Sequence, residues 1–391
     1  MTRGRGRGAG RRGAGRPEIF FDRFRSAISR LPAGLIRVMP PASPADLERV
    51  ATALGRAIPE IYASFLCSFD GADLFHETVL LAGVGPAAPI GLVALAQDRT
   101  DDRSGDRAGE LMFAVAAGGD RYALDGAGRV LRYDAGADER ALAGSSFPAW
   151  LDAAVAREQV LYGPDGEYAP DVFDPSGEEV TPLVALRQAE RALKADPGAA
   201  DAEHARGLAL GRLGRVEAAL GALGAATALD PDNPWPWFDL GRAALDGGRS
   251  EAAGAAFERA AAKEPGAAGA RLLAWAARAA QAAGDAGRVV VLRGEAIGRD
   301  AGLVEALRRA AEAAAVDEDP DAYTEATALL DVIAPEAAGP VRVRLPMVQA
   351  APAAPMAAAV REPVARPRRP ALPRRPRRAA PPRSGGSRRG S

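Results

Sequence analysis

Few side chains in this sequence can do covalent or metal chemistry. There are two histidines, His76 and His204, and one cysteine, Cys67. A thiol nucleophile needs a neighbouring base and an exposed, electropositive site. His76 follows Cys67 by nine residues, but Cys67 sits next to Leu66 in an expected helix over 59–69. A small buried apolar residue is the expectation there. A single cysteine excludes an intramolecular disulfide and a thiolate zinc cluster. Around His76 stand Asp70, Asp73 and Glu77, too few nitrogen or sulfur ligands for zinc, so a surface loop is expected. Gly83-Val84-Gly85-Pro86-Ala87-Ala88 has the glycine spacing of a dinucleotide loop. Pro86 and Pro89 interrupt the helix that would receive the phosphates, and no βαβ unit surrounds the motif. No G-x-x-x-x-G-K-[ST] and no G-x-S-x-G occurs. Asp317, Glu318, Asp319 and Asp321 lack the spacing of a calcium loop. The expectation is a non-enzymatic chain with no catalytic residue, no cofactor and no metal.

Binding is the remaining class, and composition shapes it. The 391 residues predict two or three domains. Hydrophobic residues reach 48% but aromatics only 5%, much of the rest being Ala, which suits packed helices better than an all-β core. Of 50 basic residues only Lys194 and Lys263 are lysine, the mark of a GC-rich genome, so arginine richness alone argues little for nucleic acid. The net charge of −1 conceals segregation: residues 1–16 carry +6, residues 361–391 carry +10, and the body between carries −17. The Arg/Gly start and the Pro/Arg end, 336–391, are expected to be disordered. They suit weak nonspecific contact with nucleic-acid phosphates. Pro367-Arg368-Arg369-Pro370 and Pro373-Arg374-Arg375-Pro376 also fit an extended peptide for an SH3-type groove. No apolar run of membrane-spanning length and no secretory leader is present, so no membrane partner and a cytoplasmic location are expected.

Periodicity then divides the chain. A short lead-in helix is expected within 17–35, with Phe20, Phe21, Phe24, Ile28 and Leu31 on one face. Ser43 and Pro44 open a helix in which Leu47, Val50, Ala51 and Leu54 share a face, and Gly55 closes it. Pro59 opens another, striped by Tyr62, Phe65, Leu66 and Phe69, and Gly71 stops it. Strands are expected at 78–81, 111–115, 121–124 and 129–133, joined by tight turns and therefore antiparallel. Residues 98–109 read as an exposed charged loop. Ser145–Val155 reads as a closing helix with Phe147, Trp150 and Leu151 turned inward. Residues 36–174 thus form one expected α+β domain, 175–182 a linker, and 183–335 an all-α region.

That all-α region repeats. Pro197, Pro231 and Pro265 are 34 apart, as are Gly207 and Gly241, Gly214 and Gly248, Ala219 and Ala253, and Ala226 and Ala260. Small residues recur where paired helices approach closely, and glycine recurs at the turn between them. The second unit, 234–267, with Trp237, Leu240, Gly241, Ala244, Gly248, Ala253, Phe257, Ala260 and Pro265, resembles the tetratricopeptide repeat (TPR). The first, 200–233, departs at Glu203 and Arg206. Residues 182–197 resemble the second helix of an incomplete preceding unit, and Trp275, Gly284 and Ala296 allow a third only in an altered register. The resemblance implies a helical solenoid with a concave groove. First-helix positions His204, Leu208, Arg212, Trp235, Phe238 and Arg242 would line it, with Trp237 and Leu240 in the core.

Leu54-Gly55, Ile58-Pro59, Tyr62, Phe65-Leu66 and Phe69-Asp70-Gly71 resemble the opening signature of the SMI1/KNR4 (SUKH) family. The Tyr122 strand, the Gly128–Tyr133 strand, Ser145-Ser146-Phe147 and Trp150-Leu151 agree with its later part. Asp70 stands where members often have Asn. The resemblance implies an α+β binding domain without catalytic residues, an immunity protein against toxins in many bacterial members and a regulatory scaffold in fungal ones. Joined to a TPR array, the expected function is an adaptor that binds one partner through each module, the second a protein or peptide. The alternatives are an immunity protein neutralising a toxin, and an RNA- or DNA-associated factor acting through its tails.

Overall fold

The computed structural model describes residues 17–97, 109–135, 140–177 and 179–335. Both expected disordered tails, and the expected charged loop except Gly109, lie outside these residues.

The first part combines helices with one sheet. Helices α1 (Pro17–Ile28), α2 (Pro44–Leu54), α3 (Glu60–Leu66), α4 (Leu92–Gln97) and α5 (Phe147–Glu158) accompany seven strands. These are β1 (Ile36–Val38), β2 (Ala72–Leu74), β3 (Val79–Leu81), β4 (Leu111–Ala116), β5 (Arg121–Leu124), β6 (Val130–Tyr133) and β7 (Arg140–Gly144). Every neighbouring pair is antiparallel and the spatial order is the chain order, so the sheet is a simple meander. Short connections leave no other option for β2–β3, β4–β5, β5–β6 and β6–β7, whereas β1–β2 and β3–β4 are joined by longer stretches that carry α2, α3 and α4. Ser43 caps α2 by accepting the Asp46 N–H at 3.1 Å, and Gly55 ends it in the left-handed region at φ 66°. β1, β2, β7 and α4 were not legible in the sequence, being three to six residues long without clear alternation.

The core of this part is aromatic. The Tyr62, Phe65, Phe113 and Trp150 rings surround Phe147 at centroid distances of 5.2, 5.3, 5.3 and 6.2 Å. The lead-in helix belongs to the same core, since Phe21 and Phe24 are buried in it. Tyr62 donates its buried hydroxyl to the carbonyls of Ala82 (2.5 Å) and Phe113 (3.2 Å), and burial, with the Asp70 charge behind it, pushes its phenol well above the usual range.

The second part is helical: α6 (Pro182–Ala195), α7 (Ala200–Arg212), α8 (Val216–Leu229), α9 (Pro234–Asp246), α10 (Ser250–Lys263), α11 (Gly266–Ala282), α12 (Ala286–Arg299), α13 (Leu303–Val316) and α14 (Pro320–Ile333). A Cβ on Gly207 would meet Leu223 at 2.6 Å, and one on Gly241 would meet Phe257 at 2.7 Å. The repeated glycines are therefore the points where paired helices touch. Gly214, Gly248 and Gly284 turn between helices with φ of 71°, 72° and 77°. Their spacings are 34 and then 36 residues, so the altered register of the third hairpin is an insertion of two. Ala253 and Ala260 then correspond to Val289 and Ala296, which are likewise buried. No helix among the described residues is long and apolar enough to cross a membrane.

The connection between the parts is packed. Leu161, Val172 and Val184 form a small core with Tyr162, Tyr168, Phe173 and Val180 over 160–184, and Phe173 pairs with Val180 as an isolated bridge. Helix α5 serves both sides. Its Phe147, Trp150 and Leu151 enter the sheet core, and its Ala153 packs on Ala192, Leu193, Ala199 and Ala202. α5 lies against α6, where the first helix of the incomplete repeat would stand.

Candidate interaction surface

Of the residues that raised chemical possibilities, the Gly83–Gly85 segment and Asp70 have a structural role, while Cys67 and His76 are exposed. Asp70, 5% exposed, accepts the Val84 N–H through Oδ1 at 2.6 Å and the Gly85 N–H through Oδ2 at 2.8 Å. A Cβ on Gly83 would lie 2.6 Å from Asp70 Oδ1, and one on Gly85 would lie 2.5 Å from Oδ2. The glycine pair therefore cradles the chain's own carboxylate, and the backbone donors a phosphate would need are engaged. Cys67 corrects an expectation: it is exposed, not buried. Helix α3 ends at Leu66, so Cys67 is its C-cap and lies off the stripe of Tyr62, Phe65 and Phe69. His76 is exposed in the β2–β3 turn at φ 55°, between Phe75 and Glu77, which are also left-handed. Among the described residues no group of three His, Cys, Asp or Glu side chains is placed to hold a metal.

Where the parts meet, two acids of the 34-residue period do the joining. Asp230, the C-cap of α8, accepts the buried Leu142 N–H of β7 at 2.8 Å. Asp196, the C-cap of α6, accepts the Ser145 N–H and hydroxyl, each at 2.7 Å. An edge strand exposes unpaired donors, and here repeat carboxylates satisfy them. Beside them lie Arg132 with Asp120 (3.1 Å) and Arg157 with Glu158 (2.8 Å). Asp201 of α7 completes this cluster; burial pushes its carboxyl up, against the pull of Arg132 and Arg157. A polar cavity of about 150 Å³ opens at the same junction, lined by Arg140, Asp232, Trp235 and Lys263 among others.

The expected groove residues separate into groups. His204 Nε2 and Asp239 Oδ2 lie 2.6 Å apart, half-buried, and tie α7 to α9. Leu208 is half-buried. Arg212 turns to Glu179 of the connection at 3.0 Å. Trp235 lines the junction cavity, its indole packed edge-on to Phe238. Phe238 is a correction: at 1% exposure it belongs to the core, against Phe257 and Trp275. The two-residue insertion brings Trp275, unmatched in the earlier repeats, over it. Trp237, expected in the core, is half-buried, with the Arg259 guanidinium 4.7 Å from its ring centroid. Leu240 is half-buried as well.

Arg242 stands over Phe238 and Trp275, 5.9 and 5.4 Å from their centroids. It meets Glu325 of α14 at 3.6 Å, and Arg271 of α11 meets the same carboxylate at 3.1 Å. Neither Arg271 nor Glu325 was singled out in the sequence, because the contact joins residues 54 apart across degenerate repeats.

Comparison with known proteins agrees with this division. Residues 41–153 match the model of the SMI1 / KNR4 family (SUKH-1), and residues 212–276 match the tetratricopeptide repeat. The chain carries these two modules in that order. No curated protein matches it. Solved structures with similarity include "Crystal structure of MamA", 20% identical, covering 39% of this chain and 86% of that one at TM-score 0.30. MamA residues 41-end from Desulfovibrio magneticus RS-1 are 16% identical, covering 40% and 87% at TM-score 0.29. "YrrB: a TPR protein with an unusual peptide-binding site" is 17% identical, covering 40% and 79% at TM-score 0.29.

Proposed function

We propose that this chain is a non-enzymatic scaffold of the cytoplasm that recruits a protein or peptide through the first-helix face of its repeats. SUKH and TPR modules are typically interaction modules, and among the described residues Asp70 and the Gly83–Gly85 segment are engaged with one another. The observation that carries the reading is the division of labour within the array. The ends of its second helices are taken by β7 and the residue that follows it, through Asp230 and Asp196. Its first helices carry half-buried groups of mixed chemistry: the His204 and Asp239 pair, Leu208, and Arg242 over aromatic rings. Such surfaces favour extended or helical segments.

Affinity capture with the full-length chain, after nuclease treatment, tests it. The account expects a protein partner that survives nuclease and whose recovery falls at least tenfold in Leu208→Glu with folding retained. Recovery that needs intact nucleic acid, or that ignores Leu208→Glu, contradicts it.

A further inference from the structure

The array does not end as it runs. In the regular part each second helix packs on the next first helix, α8 on α9 and α10 on α11. At the end α12 barely touches α13, and it is α14 that packs on α11. Two consequences are visible. First, α14 lies over first-helix positions of two successive repeats. Its Glu325, 11% exposed, is shared by Arg242 and Arg271, and its Leu329, Leu330 and Ile333 join the core containing Trp275. The 36-residue register makes Arg271 the counterpart of Trp235, so both arginines occupy expected groove positions. Second, the outward face of α12 is uncovered: Val290 is 64% exposed, Val291 47% and Ile297 38%. With Gly294 between them, Val290 and Ile297 form the i, i+4, i+7 stripe of a helix that expects a neighbour. That is where the next hairpin of a regular stack would lie. Only Asp300, Ala301 and Gly302 separate α12 from α13.

α14 is also an incomplete occupant. Arg271 Nε and Trp275 Nε1 are buried donors on α11 without an acceptor among the described residues. Buried donors left unpaired disfavour the arrangement that leaves them so.

We propose that α14 is a displaceable occupant of the groove formed by Arg242, Arg271 and Trp275. The partner that replaces it is an amphipathic helix with a glutamate followed by apolar residues at +4, +5 and +8, as Glu325 is followed by Leu329, Leu330 and Ile333. When displaced, the α13–α14 hairpin docks on the Val290, Val291 and Ile297 face of α12. This rests on the first-helix face being the binding surface, and it names the partner's chemistry and the gate.

The probe is a fluorescein-labelled peptide of residues 318–335, titrated onto the full-length chain by anisotropy. The tethered α14 competes at high effective concentration, so the wild-type chain is expected to bind weakly. Glu325→Gln in the chain is expected to tighten binding at least tenfold. In that background Arg271→Glu, or Glu325→Gln in the peptide, is expected to weaken it at least tenfold. Unchanged affinity in Glu325→Gln with wild-type helix content and melting, indifference to Arg271→Glu, or uptake that proceeds only with pairing of two chains overturns the proposal. Should Glu325→Gln misfold, hydrogen exchange on the wild-type chain decides: residues 320–333 are expected to exchange at least tenfold faster than 266–282, and equal protection overturns it. Equal protection, with a partner still captured through Leu208, removes the displaceable helix and leaves the scaffold reading standing. Loss of both removes both.

Discussion

The sheet module and the helical array solve the same burial problem with opposite materials. The sheet module gathers Tyr62, Phe65, Phe113, Phe147 and Trp150 from three separate stretches of chain into one knot of rings. The array brings helices together over Gly207, Ala219, Ala226, Gly241, Ala253 and Ala260, with buried aromatic rings few and concentrated at Phe238, Phe257 and Trp275. One core depends on volume that is present, the other on volume that is absent. The first should be sensitive to truncation and the second to enlargement, because close-packed interiors tolerate neither voids nor excess.

The largest expected effect tests the first half of that contrast. Phe147→Ala removes the ring that all the others touch and should cost about 3–5 kcal/mol in denaturant unfolding. A cost under about 1 kcal/mol would mean the aromatic knot is not the centre of the module. Asp230→Ala comes next. It leaves the buried Leu142 N–H without its acceptor, at about 1–3 kcal/mol. Combined with Asp196→Ala, it should split a single calorimetric transition into two. Gly241→Val tests the second half: a Cβ there already meets Phe257 at 2.7 Å, so about 1–3 kcal/mol should be lost. Gly294→Ala has open space around it and should instead gain up to about 1 kcal/mol, reversing the sign within the same array.

A further effect depends on pH. The Tyr62 phenol would ionise near 10.0 in the unfolded chain and well above that in the folded one. Between those values the unfolded state releases a proton that the folded state retains. The contribution is complete below pH 10.0 and is lost as pH rises toward the folded value. Tyr62→Phe should cost about 0.5–1.5 kcal/mol at pH 7, from the lost hydroxyl bonds, and flatten the alkaline fall in stability. An equally steep fall in Tyr62→Phe would assign the alkaline sensitivity elsewhere.

The same contrast explains what was legible in the sequence. The array's period is written in glycines and prolines at fixed intervals, because helix contacts there are local and each needs a small residue. The end of the array was not legible, since α14 packs on α11 through residues outside the period. The helices of the sheet module were readable from Phe65, Phe69 and their spacing. Strands β1, β2 and β7 were not, because they are only three to five residues long and carry no clear alternation. Gly83-Val84-Gly85 shows the limit for sites. Its glycines do serve an oxygen anion, but the anion is Asp70, fourteen residues before Val84, and spacing alone does not say so. Phe238 illustrates the converse. Its position in the repeat is a groove position, and it is buried because Trp275 arrives two residues out of register.

The most direct test of the scaffold account is a hydrogen-exchange footprint of the full-length chain with and without its captured partner. The account predicts protection on α7 and α9, around His204, Leu208 and Asp239, with residues 320–333 becoming less protected as α14 leaves. Protection confined to the sheet module, residues 36–97, with α7 and α9 unchanged, would contradict it.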